Sequence, residues 1–147
     1  GAFSPERAGA VPSGALIKMC FSGQYTEKEI YKKLVGNGGF NAYVGTNDMR
    51  DVEKMVNDGD KKADEAREAF IMQVAKDIGS MACVLKGKVD QIIVTGGIAY
   101  DKHVVAGLKE RAGFIAPFTV YPGEDELLAL TQGALRVMNG EEKAMEY

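Results

Sequence analysis

The run Ile93-Val94-Thr95-Gly96-Gly97-Ile98 places two glycines between a β-branched stretch and a segment that reads as helix. A strand, a glycine turn and a helix in that order let backbone N–H groups approach a phosphate with no Cβ in the way. The helix that follows adds its positive end at the same place. Two glycines serve equally in a tight turn that binds nothing. The run also matches neither G-x-G-x-x-G nor G-x-x-x-x-G-K-S/T, which sets aside the Rossmann and P-loop readings. Glu124, Asp125 and Glu126 follow Pro122-Gly123. Acids at a helix start ordinarily serve the helix dipole; their sharper use is to hold Mg2+, directly or through water, beside substrate phosphates. Asp48-Met49-Arg50-Asp51 reads either as a capped, solvated helix start or as one wall of a nucleotide pocket. Arg7, in an irregular segment with Gly9, is either solvated or a planar clamp for a phosphate or carboxylate. His103 has no nucleophile or orienting carboxylate nearby in the sequence and reads as a surface histidine.

These residues need elements to hold them. Gly1 to Val11 shows no period and reads as extended or loop, and Pro12 suits the first turn of a helix that runs to about Ser22. Thr26 with Glu29 is a capping-box pattern opening a helix to Val35, which Gly36-Asn37-Gly38-Gly39 stops. Phe40 to Gly45 alternates weakly, as a short strand would. Thr46 or Asn47 caps the next helix, and Asp60 the one after. There Ala63, Ala66, Phe70, Val74, Ile78, Met81 and Leu85 step by three or four, the clearest helical signal in the chain. Gln91 to Thr95 and Phe118 to Tyr121 read as strands, with a helix from about Asp101 to Arg111 between them. A last helix spans about Asp125 to Asn139. Helices alternating with strands make the fold class α/β, with more helix than sheet.

A chain of 147 residues, 46% apolar and 27% charged, is one globular domain large enough to fold without staples. A net charge of −3 offers no basic face for nucleic acid. No apolar run approaches the ~18 residues of a membrane span, and no signal-peptide pattern opens the sequence. Cys20 and Cys83 lie far apart in apolar helical patterns and read as buried small hydrophobes in a reducing, cytoplasmic setting. A single histidine and the lack of C-x-x-C spacing argue against zinc. Gly1 stands where an initiator methionine would, so the chain reads as a piece of a longer protein.

Four stretches taken together carry a resemblance: Gly1 to Gly9 (GAFSPERAG), Gly45 to Val52 (GTNDMRDV), Val94 to Tyr100 (VTGGIAY) and Val120 to Glu126 (VYPGEDE). In order and spacing they resemble the butyrate kinases, in the acetate kinase branch of the sugar kinase, hsp70-class chaperone and actin superfamily. The resemblance implies an actin-like, ribonuclease-H-like ATPase domain, helix-rich with a small sheet. It implies that residues 1–147 form the C-terminal, nucleotide-side domain of a two-domain enzyme whose N-terminal domain is absent. Such enzymes transfer the γ-phosphoryl of ATP reversibly to a short-chain carboxylate, giving an acyl phosphate and ADP.

By resemblance, Arg7 steadies the transferring phosphoryl or the acyl carboxylate, and Gly96 and Gly97 lie against the ADP phosphates with Ile98 beside the nucleoside. Asp48, Met49 and Arg50 match the family's segment at the ribose and adenine. Glu124 or Glu126 stands near Mg2+, with Glu124 the named candidate ligand. The acetate kinases carry Ser-Gly-Asp after the arginine matching Arg7, where this chain has Ala8-Gly9-Ala10, and the acidic motif has another local order. Both differences lean towards butyrate kinase and leave the magnesium-linked acid open among Glu124, Asp125 and Glu126. The family's N-terminal half holds a phosphate loop and a histidine used in transfer, neither of which has a counterpart here, so the chain alone is expected to be inactive. The family also implies a homodimer or higher homo-oligomer, the basis of an alternative reading as an assembly module.

Overall fold

The structure, a computed structural model, describes residues 1–145. Seven α-helices and two strands follow one another as α1 (Ser13–Cys20), α2 (Glu27–Leu34), α3 (Gly39–Val44), α4 (Met49–Asn57), α5 (Lys61–Val84), β1 (Ile92–Gly96), α6 (Lys102–Ala112), β2 (Phe118–Pro122) and α7 (Glu126–Met138), with a 3-10 turn at Gly97–Tyr100 between β1 and α6. The strands pair in parallel, Ile92 opposite Phe118 through Gly96 opposite Pro122. Parallel neighbours need a crossover, and α6 supplies it.

Local chemistry sets most boundaries. Thr26 and Glu29 form the complete capping box at the start of α2. Asp60 accepts from the N–H groups of Lys62 and Ala63, and Asp101 from those of His103 and Val104, so each carboxylate satisfies donors its helix leaves unpaired. At α4 the cap is Asp48 itself, through the Arg50 N–H, rather than Thr46 or Asn47.

The core lies where α5 meets α3, α4 and α6. Phe40, Val52, Ile71 and Val104 are its largest fully buried side chains. Phe3 and Phe70 meet Phe40 at ring-centroid distances of 5.2 and 5.5 Å. This cluster decides the one element that departs from expectation. Residues 39–44 are helical, not a strand, because helical spacing turns Phe40 and Tyr43 together onto Phe3, with Tyr43 at 5.3 Å. Over six residues the weak alternation carries less than those contacts do.

The stripe along α5 is only half covered. Ala63, Ala66 and Phe70 are buried, whereas Met81 and Leu85 stand 58% and 53% exposed, because α3, α4 and α6 cover the first part of the helix. The same fact corrects the cysteines: Cys20 and Cys83 are exposed, Cys20 on a helix with no buried residue and Cys83 in the uncovered part of α5. No described helix is long and apolar enough to cross a membrane.

Candidate functional site

A cleft of about 710 Å3 opens between the start of α4 and the turn after β1. Asn47, Asp48, Met49 and Arg50, with Pro5, form one wall; Gly97, Ile98, Tyr100 and Glu124 form the other. Met49 and Ile98 also pack against the central core, so the core itself sets the spacing of the two walls. Six candidates from the sequence, Asp48, Met49, Arg50, Gly97, Ile98 and Glu124, therefore meet around one space.

Gly96 and Glu126 do not line this cleft. They border an adjoining hollow of about 510 Å3, which shares Glu124 with it. Arg7 borders neither. It is exposed on a segment whose Pro5 reaches the cleft, and it pairs by backbone with Val35. That segment is fixed at the start of α3, where the N–H groups of Phe40 and Asn41 donate to the Ser4 and Pro5 carbonyls. A Cβ on Gly39 would run into the Ser4 and Arg7 carbonyl oxygens. The glycine run that reads as a helix stop thus also admits the backbone bearing Arg7.

The turn after β1 is built by exchange with the end of β2. Gly96 and Gly123 each donate to the other's carbonyl, at 3.2 and 3.1 Å. Gly96 sits at φ 90°, ψ 177°, a region essentially reserved for glycine. The Gly97 N–H then points towards Oε1 of Glu124 at 3.4 Å, a long contact that leaves the donor open to a stronger acceptor. Glu124 takes part in no ion pair among the described residues.

On the opposite wall Asp48 is engaged. Its Oδ1 accepts from the Arg50 backbone and from Nε of the Arg50 guanidinium, both at 2.9 Å. Those bonds lower its carboxyl from the ordinary 3.8 to about 2. A lowered folded-state value means the pair's contribution to stability is complete above pH ~4 and is lost as pH falls through about 2. Carbon-detected NMR titration should give the Asp48 carboxyl a midpoint near 2 and a higher one in Arg50→Ala, which loses the guanidinium but keeps the backbone N–H bond.

Among the described residues no group of three or more histidines, cysteines or acids is placed to hold a metal. One uncommitted carboxylate beside an anion-facing backbone suits Mg2+, which takes one or two carboxylates and fills its shell from phosphates and water. Of the two acids that line the cleft, Asp48 is held by Arg50 and Glu124 is not.

Sequence reasoning missed two features. Tyr100 lines the cleft, its only signal being a place at the end of the Val94 to Tyr100 stretch. His103, expected to lack a carboxylate partner, has Nε2 2.7 Å from Glu68 Oε1, with Arg111 3.2 Å from the other oxygen. Those bonds, His103 first, hold the Glu68 carboxyl below its usual range. Glu68 lies on α5, 35 residues away, which no local pattern reveals. This cluster does not line the cleft.

Comparison with known proteins gives this geometry a family. At 60% identity over 147 residues, the whole of this chain and 41% of the other, it is similar to a probable butyrate kinase of Clostridium botulinum. At 57% identity and the same coverages it is similar to butyrate kinase 2 of Clostridium acetobutylicum. The chain thus spans about two-fifths of the length of these curated relatives. Its fold is that of the acetate kinases, of the actin-like ATPase class. The Porphyromonas gingivalis acetate kinase superposes with TM-score 0.80 and 17% identity over 92% of this chain and 40% of that one. The Entamoeba histolytica acetate kinase gives 0.77 and 19% over 92% and 43%. The model of the acetokinase family matches residues 2–114, and the chain belongs to that family.

Proposed function

We propose that this chain is the C-terminal, nucleotide-side part of a butyrate kinase, which transfers the γ-phosphoryl of ATP reversibly to butyrate. The observation that carries the reading is the meeting of Asp48–Arg50 with Gly97, Ile98 and Glu124 around one cleft. The relatives named butyrate kinase support the choice of acceptor. In the forward direction a carboxylate oxygen bonds to the γ-phosphorus. The bond to the β,γ-bridging oxygen breaks, and ADP leaves with the electron pair. Such a transfer needs alignment and charge neutralisation more than covalent help from the protein.

In this reading the Gly97 N–H, with the Gly96 turn behind it, faces the ADP phosphates, and Ile98 meets the nucleoside. Asp48, Met49 and Arg50 form the ribose and adenine side. Glu124 holds Mg2+ directly or through water, with Glu126 next to it; bound Mg2+ supplies charge neutralisation at the phosphates. Arg7, outside the cleft lining, serves the phosphoryl or the carboxylate. The chain by itself is inactive, since the phosphate loop and transfer histidine that the resemblance assigns to the other half of the enzyme have no counterpart in it. Acetate or a branched-chain acid is the neighbouring alternative as acceptor, because a methyl or two changes binding by only about 1–3 kcal/mol. The setting is cytoplasmic, where exposed thiols such as Cys20 and Cys83 stay reduced.

Calorimetric titration of the chain with ADP, with and without Mg2+, tests the reading. Saturable, Mg2+-dependent binding is expected. Its absence would remove the nucleotide site from this chain. A second reading, as an assembly module forming a homodimer or higher oligomer, is favoured by α7, which buries no residue, and by exposed Met81, Val84 and Leu85. Light scattering should then show a dimer or larger species; a monomer at high concentration counts against it.

A further inference from the structure

Tyr100 ends the 3-10 turn at the cleft and is 69% exposed, so burial does not account for an aromatic residue there. Its phenol lies over Gly123. A Cβ built on Gly123 would stand 2.8 Å from Tyr100 Oη and 3.6 and 3.7 Å from Cζ and Cε2. Gly123 also sits at φ 106°, a conformation that favours glycine, and a Cβ there would displace the Tyr100 hydroxyl. Gly123 is the residue that exchanges backbone hydrogen bonds with Gly96. Immediately after it comes Glu124, whose carboxylate is 3.4 Å from the Gly97 N–H.

We propose that Tyr100 is a positioning residue for Glu124, its ring bracing the Gly123 backbone so that the Glu124 carboxylate stays at the Gly97 turn. The inference rests on the nucleotide reading of this cleft. Glycine is the most permissive residue for backbone rotation, so the link carrying Glu124 is fixed only by what presses on it. On one side that is the hydrogen-bonded exchange with Gly96; on the other it is the Tyr100 ring. Glu124 has no ion pair of its own among the described residues, so its place follows from the backbone beneath it. Removing the ring leaves the carboxylate present but spread over more positions.

The test measures Mg2+-dependent ADP binding by the whole chain as wild type, Tyr100→Phe, Tyr100→Ala, Glu124→Gln and the double variant Tyr100→Ala/Glu124→Gln. Tyr100→Phe keeps the ring but loses the oxygen that comes nearest Gly123, and is expected to bind between wild type and Tyr100→Ala. Tyr100→Ala should weaken Mg-ADP about tenfold, the low end for losing a group that orients a metal ligand. The double variant should bind no more weakly than Glu124→Gln alone, because residues acting through one another are not additive. Melting of the unliganded variants checks the fold, and Tyr100→Gln replaces the alanine variant if that one melts early. Wild-type affinity in the truncated variant overturns the proposal. So do losses that multiply in the double variant, which would make the two residues independent. Failure of wild type to bind Mg-ADP is a different result: it overturns the nucleotide reading, and the proposal with it.

Discussion

Phe40→Ala is expected to destabilise the chain by about 3–5 kcal/mol, the range for aromatic-to-alanine truncation in a filled core. Phe40 is fully buried and joins three parts of the chain. It belongs to α3, meets Phe3 of the N-terminal segment at 5.2 Å, and meets Phe70 of α5 at 5.5 Å. Removing it costs the transfer energy of the ring and leaves a cavity bounded by two other rings that cannot collapse together without moving the backbone. Domains of this size have roughly 5–15 kcal/mol in total. The loss is therefore a large fraction, and it should lower the melting temperature by about 10 °C. Urea unfolding followed by circular dichroism should show a lower midpoint with an unchanged slope. A loss under ~1 kcal/mol would mean that the rings are not packed as a core. The segment carrying Arg7 is anchored through Phe3, so this substitution is also expected to loosen that segment before the rest of the chain.

How much of this could be read from residue order depends on how far apart the interacting groups lie. The Thr26–Glu29 box, the Asp60 cap and the βαβ run from Ile92 to Pro122 are local signals, and the structure has them where the sequence puts them. Asp48 was one of three polar residues in a row, and the one that caps also holds the guanidinium of the arginine two positions later. Residues 39–44 were not legible, because six residues with weak alternation fit either element until Phe3 and Phe70 are known to be neighbours. The two halves of the cleft were visible as separate motifs. Their meeting across nearly fifty residues was not; the family resemblance supplied the pairing. His103 with Glu68, and Tyr100 with Gly123, are contacts between residues whose types are unremarkable in isolation. The cysteines misled because an apolar helical pattern promises a covered face, and among the described residues nothing covers those two.

The adjacent glycines of the turn are expected to separate binding from folding when substituted. At Gly97 an added Cβ meets no atom within 4 Å, and the backbone lies outside the left-handed region. Gly97→Val should therefore fold and melt like wild type, while its methyl groups occupy the space through which an anion reaches the Gly97 N–H. A charge-assisted hydrogen bond contributes about 1.5–3 kcal/mol, so a loss of about 100-fold in Mg-ADP affinity is expected from that donor and its blocked approach. At Gly96 the situation is reversed. The nearest atom to a Cβ is Glu124 Oε1 at 3.7 Å, an ordinary contact, but φ 90° with ψ 177° is a conformation that other residues hold only at a cost of about 1–3 kcal/mol. Gly96→Ala should melt earlier, and because the strained residue sits in the exchange with Gly123 it should weaken binding only as far as the turn shifts. Thermal melting and calorimetry on the same two proteins read both quantities. Unchanged affinity in Gly97→Val would place the phosphates away from this turn. Early melting of that variant would contradict the open space found beside Gly97. The expected pattern, binding lost at one glycine and stability lost at its neighbour, is one that a ligand-free tight turn does not produce.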